Sequence, residues 1–236
     1  MKGMILAAGL GTRLKPFTES HPKALLPING KTLLQRNIEY LQSFNVKDVV
    51  VNVHHFAAQI KDAIQQNNAW GSNITISDET DIVLETGGGL KKAAVFLQDS
   101  IEPFVLMNAD ILTDLNIDEL KKLHIQSNVL ATLAVTNRNT NRYLLFDEHN
   151  ILCGWLNEKT GEQKGKPGTK KAFSGIHVIS PKIFQHIKEE GKFSMIDLYL
   201  RLATEGFKIN CYDHSDGKLL DVGKPESVEI AENMFP

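Results

Sequence analysis

The sequence predicts an open α/β sheet, mixed but mostly parallel, with helices on both faces. Three observations carry that expectation. Residues 3–8 form an apolar run that ends at Gly9, as a buried strand does. Strand-like apolar runs then alternate with helical periodicity through the first half of the chain, the rhythm of repeated βαβ units. At 236 residues, 42% of them hydrophobic and with no internal repeat, the chain suits one domain whose core needs no disulfide or metal staple.

Each element has its own signal. Asn29-Gly30 is a turn dipeptide, and Thr32 can cap a helix that starts at Leu33. Leu34, Ile38 and Leu41 recur at i, i+4 and i+7 as one face of that helix. Residues 48–53 are a β-branched strand, 56–64 a helix and 73–76 a strand. Three glycines, Gly87 to Gly89, open an amphipathic helix running through Lys91, Ala94 and Leu97, and residues 104–107 form a buried strand. After residue 128 the rhythm changes to strands at 129–135, 143–146, 151–156 and 172–179, with a glycine-bounded turn at 161–168. A helix at 195–204, strands at 208–212 and 219–222, and a last helix after Pro225 complete the chain. We read residues 1–236 as a single domain of two lobes, 1–128 and 129–236.

Composition narrows the function. With 26 basic and 28 acidic residues the net charge is −2, which gives no broad basic field for nucleic acid or an anionic membrane. Cys153 and Cys211 stand far apart and read as reduced thiols of a cytoplasmic protein, and the eight histidines form no HExxH pattern. The apolar N-terminal run is far too short to cross a membrane.

The glycines of Gly9-Leu10-Gly11 follow the first strand, where bare backbone N–H groups can approach a phosphate. A dinucleotide fingerprint needs a third glycine at position 14, which is Leu14. A Walker A loop ending at Gly30-Lys31-Thr32 needs one at position 25, which is Leu25. The continuation is more distinctive: Gly9-Leu10-Gly11-Thr12-Arg13-Leu14-Lys15-Pro16-Phe17-Thr18, then Pro22-Lys23-Ala24-Leu25-Leu26-Pro27. This GxGTRLxPxT…PKxLxP pattern resembles the sugar-1-phosphate nucleotidyltransferases. That family includes glucose-1-phosphate thymidylyl- and uridylyltransferases, mannose-1-phosphate guanylyltransferases and N-acetylmuramate-1-phosphate uridylyltransferases. The chemistry suits the residues, because a leaving pyrophosphate needs a guanidinium fork and an ammonium nearby, here Arg13 and Lys23.

The resemblance, which spans nearly the whole chain, implies a Rossmann-like sheet of the nucleotide-diphospho-sugar transferase type and a Mg²⁺ cofactor. It makes Arg13 and Lys23 the catalytic cations and assigns the nucleotide to Leu6, Ala7, Ala8, Gly9, Gly11, Thr12, Arg13, Lys23 and Asn108. Asp110 and Asp221, each at the end of an apolar strand, are the expected metal ligands. Glu85, Thr86, Gly87, Gly88, Glu158, Lys159, Ser174 and Gly175 are the expected sugar contacts. The Leu84-Glu85-Thr86-Gly87-Gly88-Gly89 form looks most like that of the muramate-type uridylyltransferases and related guanylyltransferases, and three bare glycines suggest room for a bulky sugar substituent. The expected partners are a nucleoside triphosphate, UTP before GTP, and a sugar 1-phosphate, N-acetylmuramate before mannose or glucose. No protein partner is legible. A glycosyltransferase would want an Asp-x-Asp pair where this chain has Asn108-Ala109-Asp110, and a catalytically inactive nucleotide-sugar-binding regulator would be expected to lose the charged residues retained here.

Overall fold

The computed structural model describes residues 1–236. Its first strand, β1 (Gly3–Leu6), leads through three short 3₁₀ turns to a hairpin of β2 (Pro27–Ile28) and β3 (Lys31–Thr32). Asn29 and Gly30 close that hairpin, both at positive φ, 47° and 77°. Helix α1 (Leu33–Ser43) begins where the Thr32 side chain accepts from the Gln35 N–H at 3.1 Å, and Leu34, Ile38 and Leu41 are fully buried. β4 (Asp48–Val53), α2 (Ala57–Gln66), β5 (Asn73–Asp78), the consecutive helices α3 (Glu85–Lys92) and α4 (Ala94–Leu97), and β6 (Phe104–Asn108) then complete a parallel unit ordered β6-β1-β4-β5.

Alternation of side chains along these strands supplies two cores. Met4, Val50, Phe104 and Leu106 pack on one face of the sheet, while Ile5, Val49, Val51, Val105 and Met107 pack on the other. Burial on both faces is why the strands read as continuous apolar runs rather than alternating ones.

The second half adds β7 (Ile111–Thr113), α5 (Ile117–Ser127), β8 (Ala131–Thr136), β9 (Arg142–Phe146), β10 (Leu152–Asn157), β11 (Glu162–Gly165) and β12 (Thr169–Ile179). It ends with α6 (Met195–Thr204), β13 (Ile209–Asp213), β14 (Leu219–Asp221) and α7 (Glu226–Met234). The eleven-residue β12 joins the halves. Its C-terminal part runs antiparallel beside β6 and β8, and its N-terminal part pairs with β9, which continues the sheet through β10 to β11. β7 and β14 form a separate antiparallel ribbon.

Three elements depart from the expectation. The span 161–168 is not all turn: Glu162–Gly165 is a strand whose residues are all exposed, so hydrogen bonding to β10 and not burial defines it. Helix α5, capped by the Asn116 side chain on the Asp118 and Glu119 N–H groups, and the short β7 are additional. No helix is long and apolar enough to cross a membrane.

Candidate active site

A cleft of about 810 Å³ opens at the carboxyl ends of β1, β4 and β6, where parallel sheets place their ligands. Leu6, Ala7, Ala8, Gly9, Lys23 and Asn108 line it. Gly11, Thr12 and Arg13 continue the same loop outside the cleft wall. Gly11 sits at φ 61°, and its carbonyl accepts from Thr18 Oγ1 at 2.9 Å, which pins the loop. The N–H groups of Gly9, Leu10 and Gly11 donate to no other part of the chain, so they remain available to an anion.

Lys23 Nζ forms an ion pair with Asp110 in the cleft, with 12% and 24% of the two side chains exposed. Asp221 is exposed and stands outside the cleft wall, but the β7–β14 ribbon brings it next to Asp110: it stands opposite Ile111, and the Val222 N–H donates to the Asp110 carbonyl at 2.9 Å. A Cβ on Gly223 would lie 2.7 Å from Asp221 Oδ1 and 2.9 Å from Arg13 Nη2, so the carboxylate and the guanidinium border one gap. Loss of hydration and then the Asp110 charge push the Asp221 carboxyl above its ordinary value, against the pull of Lys23, Arg13 and Arg138. Two converging carboxylates, with no third acid, histidine or cysteine beside them, fit a hard divalent cation that completes its shell with phosphate oxygens and water.

Beneath the loop lies a buried relay that the sequence reading does not single out. Asn52 accepts from the Ala7 N–H at 2.7 Å and donates to Glu79 Oε1 at 2.8 Å. Glu79 is fully buried, and burial raises its carboxyl above the ordinary range. Gly89 leaves space for the pair, since a Cβ there would lie 2.8 Å from Glu79 Oε1 and 2.9 Å from Asn52 Nδ2. A polar residue inside the run Val49-Val50-Val51-Asn52-Val53 is the available signal, because a buried amide must find partners.

Residues 2–234 match the nucleotidyl transferase family. The chain belongs to the sugar-1-phosphate nucleotidyltransferases. It is 31% identical over 237 residues to the N-acetylmuramate alpha-1-phosphate uridylyltransferase of Caulobacter vibrioides, a match covering 97% of this chain and 94% of that one. The UTP–glucose-1-phosphate uridylyltransferase of Synechocystis sp. is 29% identical across 95% of this chain, which spans only 60% of that longer protein. The solved structure of HddC from Yersinia pseudotuberculosis complexed with GMP-PN superposes with a TM-score of 0.80 at 25% identity, covering 100% of this chain and 99% of that one.

In this nucleotidyltransferase the sugar side differs from the expectation. Glu85 and Thr86 line the cleft, but Gly87 and Gly88 do not. Both are buried in α3 under the segment 191–193. A Cβ on Gly87 would overlap the Phe193 ring, and one on Gly88 the Gly191 carbonyl. The Gly87 and Gly88 N–H groups donate to the Phe193 carbonyl at 2.9 and 3.3 Å. The room left by these glycines is therefore filled by protein, and they do not widen the sugar pocket. Glu158 is exposed and paired with Lys170 at 2.6 Å, and Lys159 is also exposed; neither lines the cleft, because both follow the end of β10. Ser174 is fully buried against His214 at 2.7 Å, and Gly175 packs on Asn108, so neither reaches the cleft directly. The nucleotidyltransferase instead presents Arg138, Arg142, Tyr143, Trp155, Lys164 and Phe173.

Proposed function

We propose that the chain transfers the uridylyl group of UTP to N-acetylmuramate 1-phosphate, with Mg²⁺ as cofactor. The observation that carries the reaction is the meeting of Lys23 and Asp110 with Asp221 at the foot of the unsatisfied Gly9–Gly11 amides. A phosphate oxygen of the sugar phosphate attacks the α-phosphorus of the triphosphate, a new P–O bond forms, the α–β bridge breaks, and pyrophosphate leaves. That oxygen is already an anion at neutral pH, so no general base and no covalent intermediate are required, and positioning and charge stabilisation supply the catalysis.

The loop amides cradle the triphosphate, and Lys23 and Arg13 take up the charge developing on the leaving pyrophosphate. The Asn52 amide holds the Ala7 N–H and with it the start of the loop. Asp110 and Asp221 are the residues that would hold Mg²⁺, which would supply neutralisation of phosphate charge.

The choice of substrates is supported by the relative from Caulobacter vibrioides, which matches this chain over nearly the full length of both. The setting implied by that pair is cytoplasmic nucleotide-sugar synthesis from recovered cell-wall amino sugars. Pyrophosphate release from a panel of UTP, GTP and dTTP against N-acetylmuramate, mannose and glucose 1-phosphates tests both levels. UTP with N-acetylmuramate 1-phosphate is expected to be the fastest pair. Predominant GDP-mannose would overturn the substrates, and no pyrophosphate from any pair would overturn the reaction.

A further inference from the structure

Four cations line the cleft: Lys23, Arg138, Arg142 and Lys164. Three are engaged. Lys23 pairs with Asp110, and Lys164 pairs with Asp197 at 2.9 Å while lying 5.4 Å over the Trp155 ring. Arg138 donates to the Phe173 carbonyl at 3.0 Å and, with Lys23 and Arg13, is one of the three cations that act most on Asp221. The exposed Arg142 guanidinium has no carboxylate partner and donates to no other part of the chain, while its backbone is held by strand pairing with Asn157 and by Thr140 Oγ1 at 3.4 Å.

Strand register fixes where Arg142 stands. It opens β9 opposite Asn157 of β10, and two residues on, Leu144 faces Trp155, which in turn faces Lys164 of β11. Residues two apart on a strand share a face, so Arg142, Leu144, Trp155 and Lys164 form one wall, and all four line the cleft. That wall belongs to the β9–β10–β11 meander, whereas the two aspartates sit at the ends of β6 and β14. The sugar's own phosphate must lie at the aspartate end to attack. Arg142 therefore faces another part of the sugar, and a free guanidinium fork beside aromatic rings matches a planar carboxylate.

The geometry points to a sugar 1-phosphate that carries a second anionic group, a carboxylate, which Arg142 binds as the specificity-determining residue. This rests on the reaction proposed above and adds a charge requirement at the sugar wall. The lactyl ether of N-acetylmuramate and the C6 carboxylate of a hexuronic acid are two sources of that chemistry.

The experiment compares matched pairs: N-acetylmuramate 1-phosphate against N-acetylglucosamine 1-phosphate, which lacks only the lactyl group, and a hexuronic acid 1-phosphate against the 1-phosphate of the corresponding hexose. Wild type is expected to favour the acidic member of one pair. Arg142→Met should lower kcat/KM for that acidic sugar by about 10- to 100-fold, mainly through KM, so that the ratio within the pair collapses toward one. Arg142→Lys should recover part of the ratio, since a charge remains without the fork. Preference for the neutral member of both pairs, or an equal loss on both members, overturns the assignment. Preference for the uronic acid over N-acetylmuramate overturns the substrate pair but leaves the role of Arg142 standing.

Discussion

Lys23 is held by Asp110 before any substrate arrives, so in the reaction proposed above the carboxylate that fixes the ammonium must exchange it for the metal and leave it to phosphate. Lys23 lies on a 3₁₀ turn, Lys23–Leu25, and the buried Ala24 and Leu26 anchor that turn, so losing the charge should leave the fold intact. Lys23→Ala and Arg13→Ala are each expected to slow turnover by about 10²-fold or more, the cost of removing one electrostatic donor, with an unchanged circular dichroism spectrum. Near-normal turnover of either variant would remove these cations from the transition state. For Asp221 the two functions oppose each other. Asp110 disfavours its charge but solvent screens that repulsion at the exposed Asp221, so Asp221→Asn should leave the melting temperature in chelator unchanged or slightly higher while sharply reducing Mg²⁺-dependent turnover. A lower melting temperature together with intact metal dependence would contradict the convergence of the two carboxylates.

At the scale of elements, α3 contains glycine for packing and not for ligand access. Alanine is a better helix former than glycine by about 1 kcal/mol, yet Gly88→Ala should destabilise the protein by about 1–3 kcal/mol in urea unfolding, because the new methyl meets the rigid backbone carbonyl of Gly191. A stabilised Gly88→Ala protein would mean that this segment lies elsewhere in solution. The same helix shows where the sequence is legible and where it is not. A run of glycines announces close approach, but whether a ligand or a distant loop makes the approach depends on residues 191–193, which no local pattern connects to position 88. By contrast, β4 and α6 are legible to the residue, since the run Asp48–Val53 and the period of Met195–Thr204 each encode their own burial. The phosphate loop, Lys23 and the two aspartates are legible as motif and strand ends. The sugar wall is not, because Arg142, Trp155 and Lys164 become neighbours only through the register of three strands. Strand β11 has no buried side chain to announce it, and α5 was announced by Asn116 followed by two acids, a cap that an apolar reading passes over.

For the whole molecule, three buried histidines tie stability to pH, His177 and His124 more strongly than His214. Burial lowers His177, bonded to the Tyr199 hydroxyl at 2.8 Å, to about 3, and His124, bonded to the Thr132 hydroxyl at 3.0 Å, to about 4. The unfolded chain therefore binds these protons first as acid is added, near the ordinary 6.5. Each histidine contributes stability that is fully present above about pH 7 and is lost as the pH falls from 6.5 toward its folded value. Unfolding free energy should fall by up to about 1.4 kcal/mol per pH unit for each histidine below pH 6, and His177→Gln should show a shallower slope than wild type in denaturant titrations at pH 7 and pH 5. Identical slopes would place His177 in contact with water. The ribbon of β7 and β14 has a consequence of another kind. It joins carboxylates that lie almost half the chain apart, and non-local pairings of that span close late in folding. A nascent chain whose first parallel strands have already collapsed presents the loop amides and Lys23 but lacks Asp221. Under the metal assignment proposed above, a chain that ends before β14 lacks one of the two carboxylates, so full-length synthesis precedes competence.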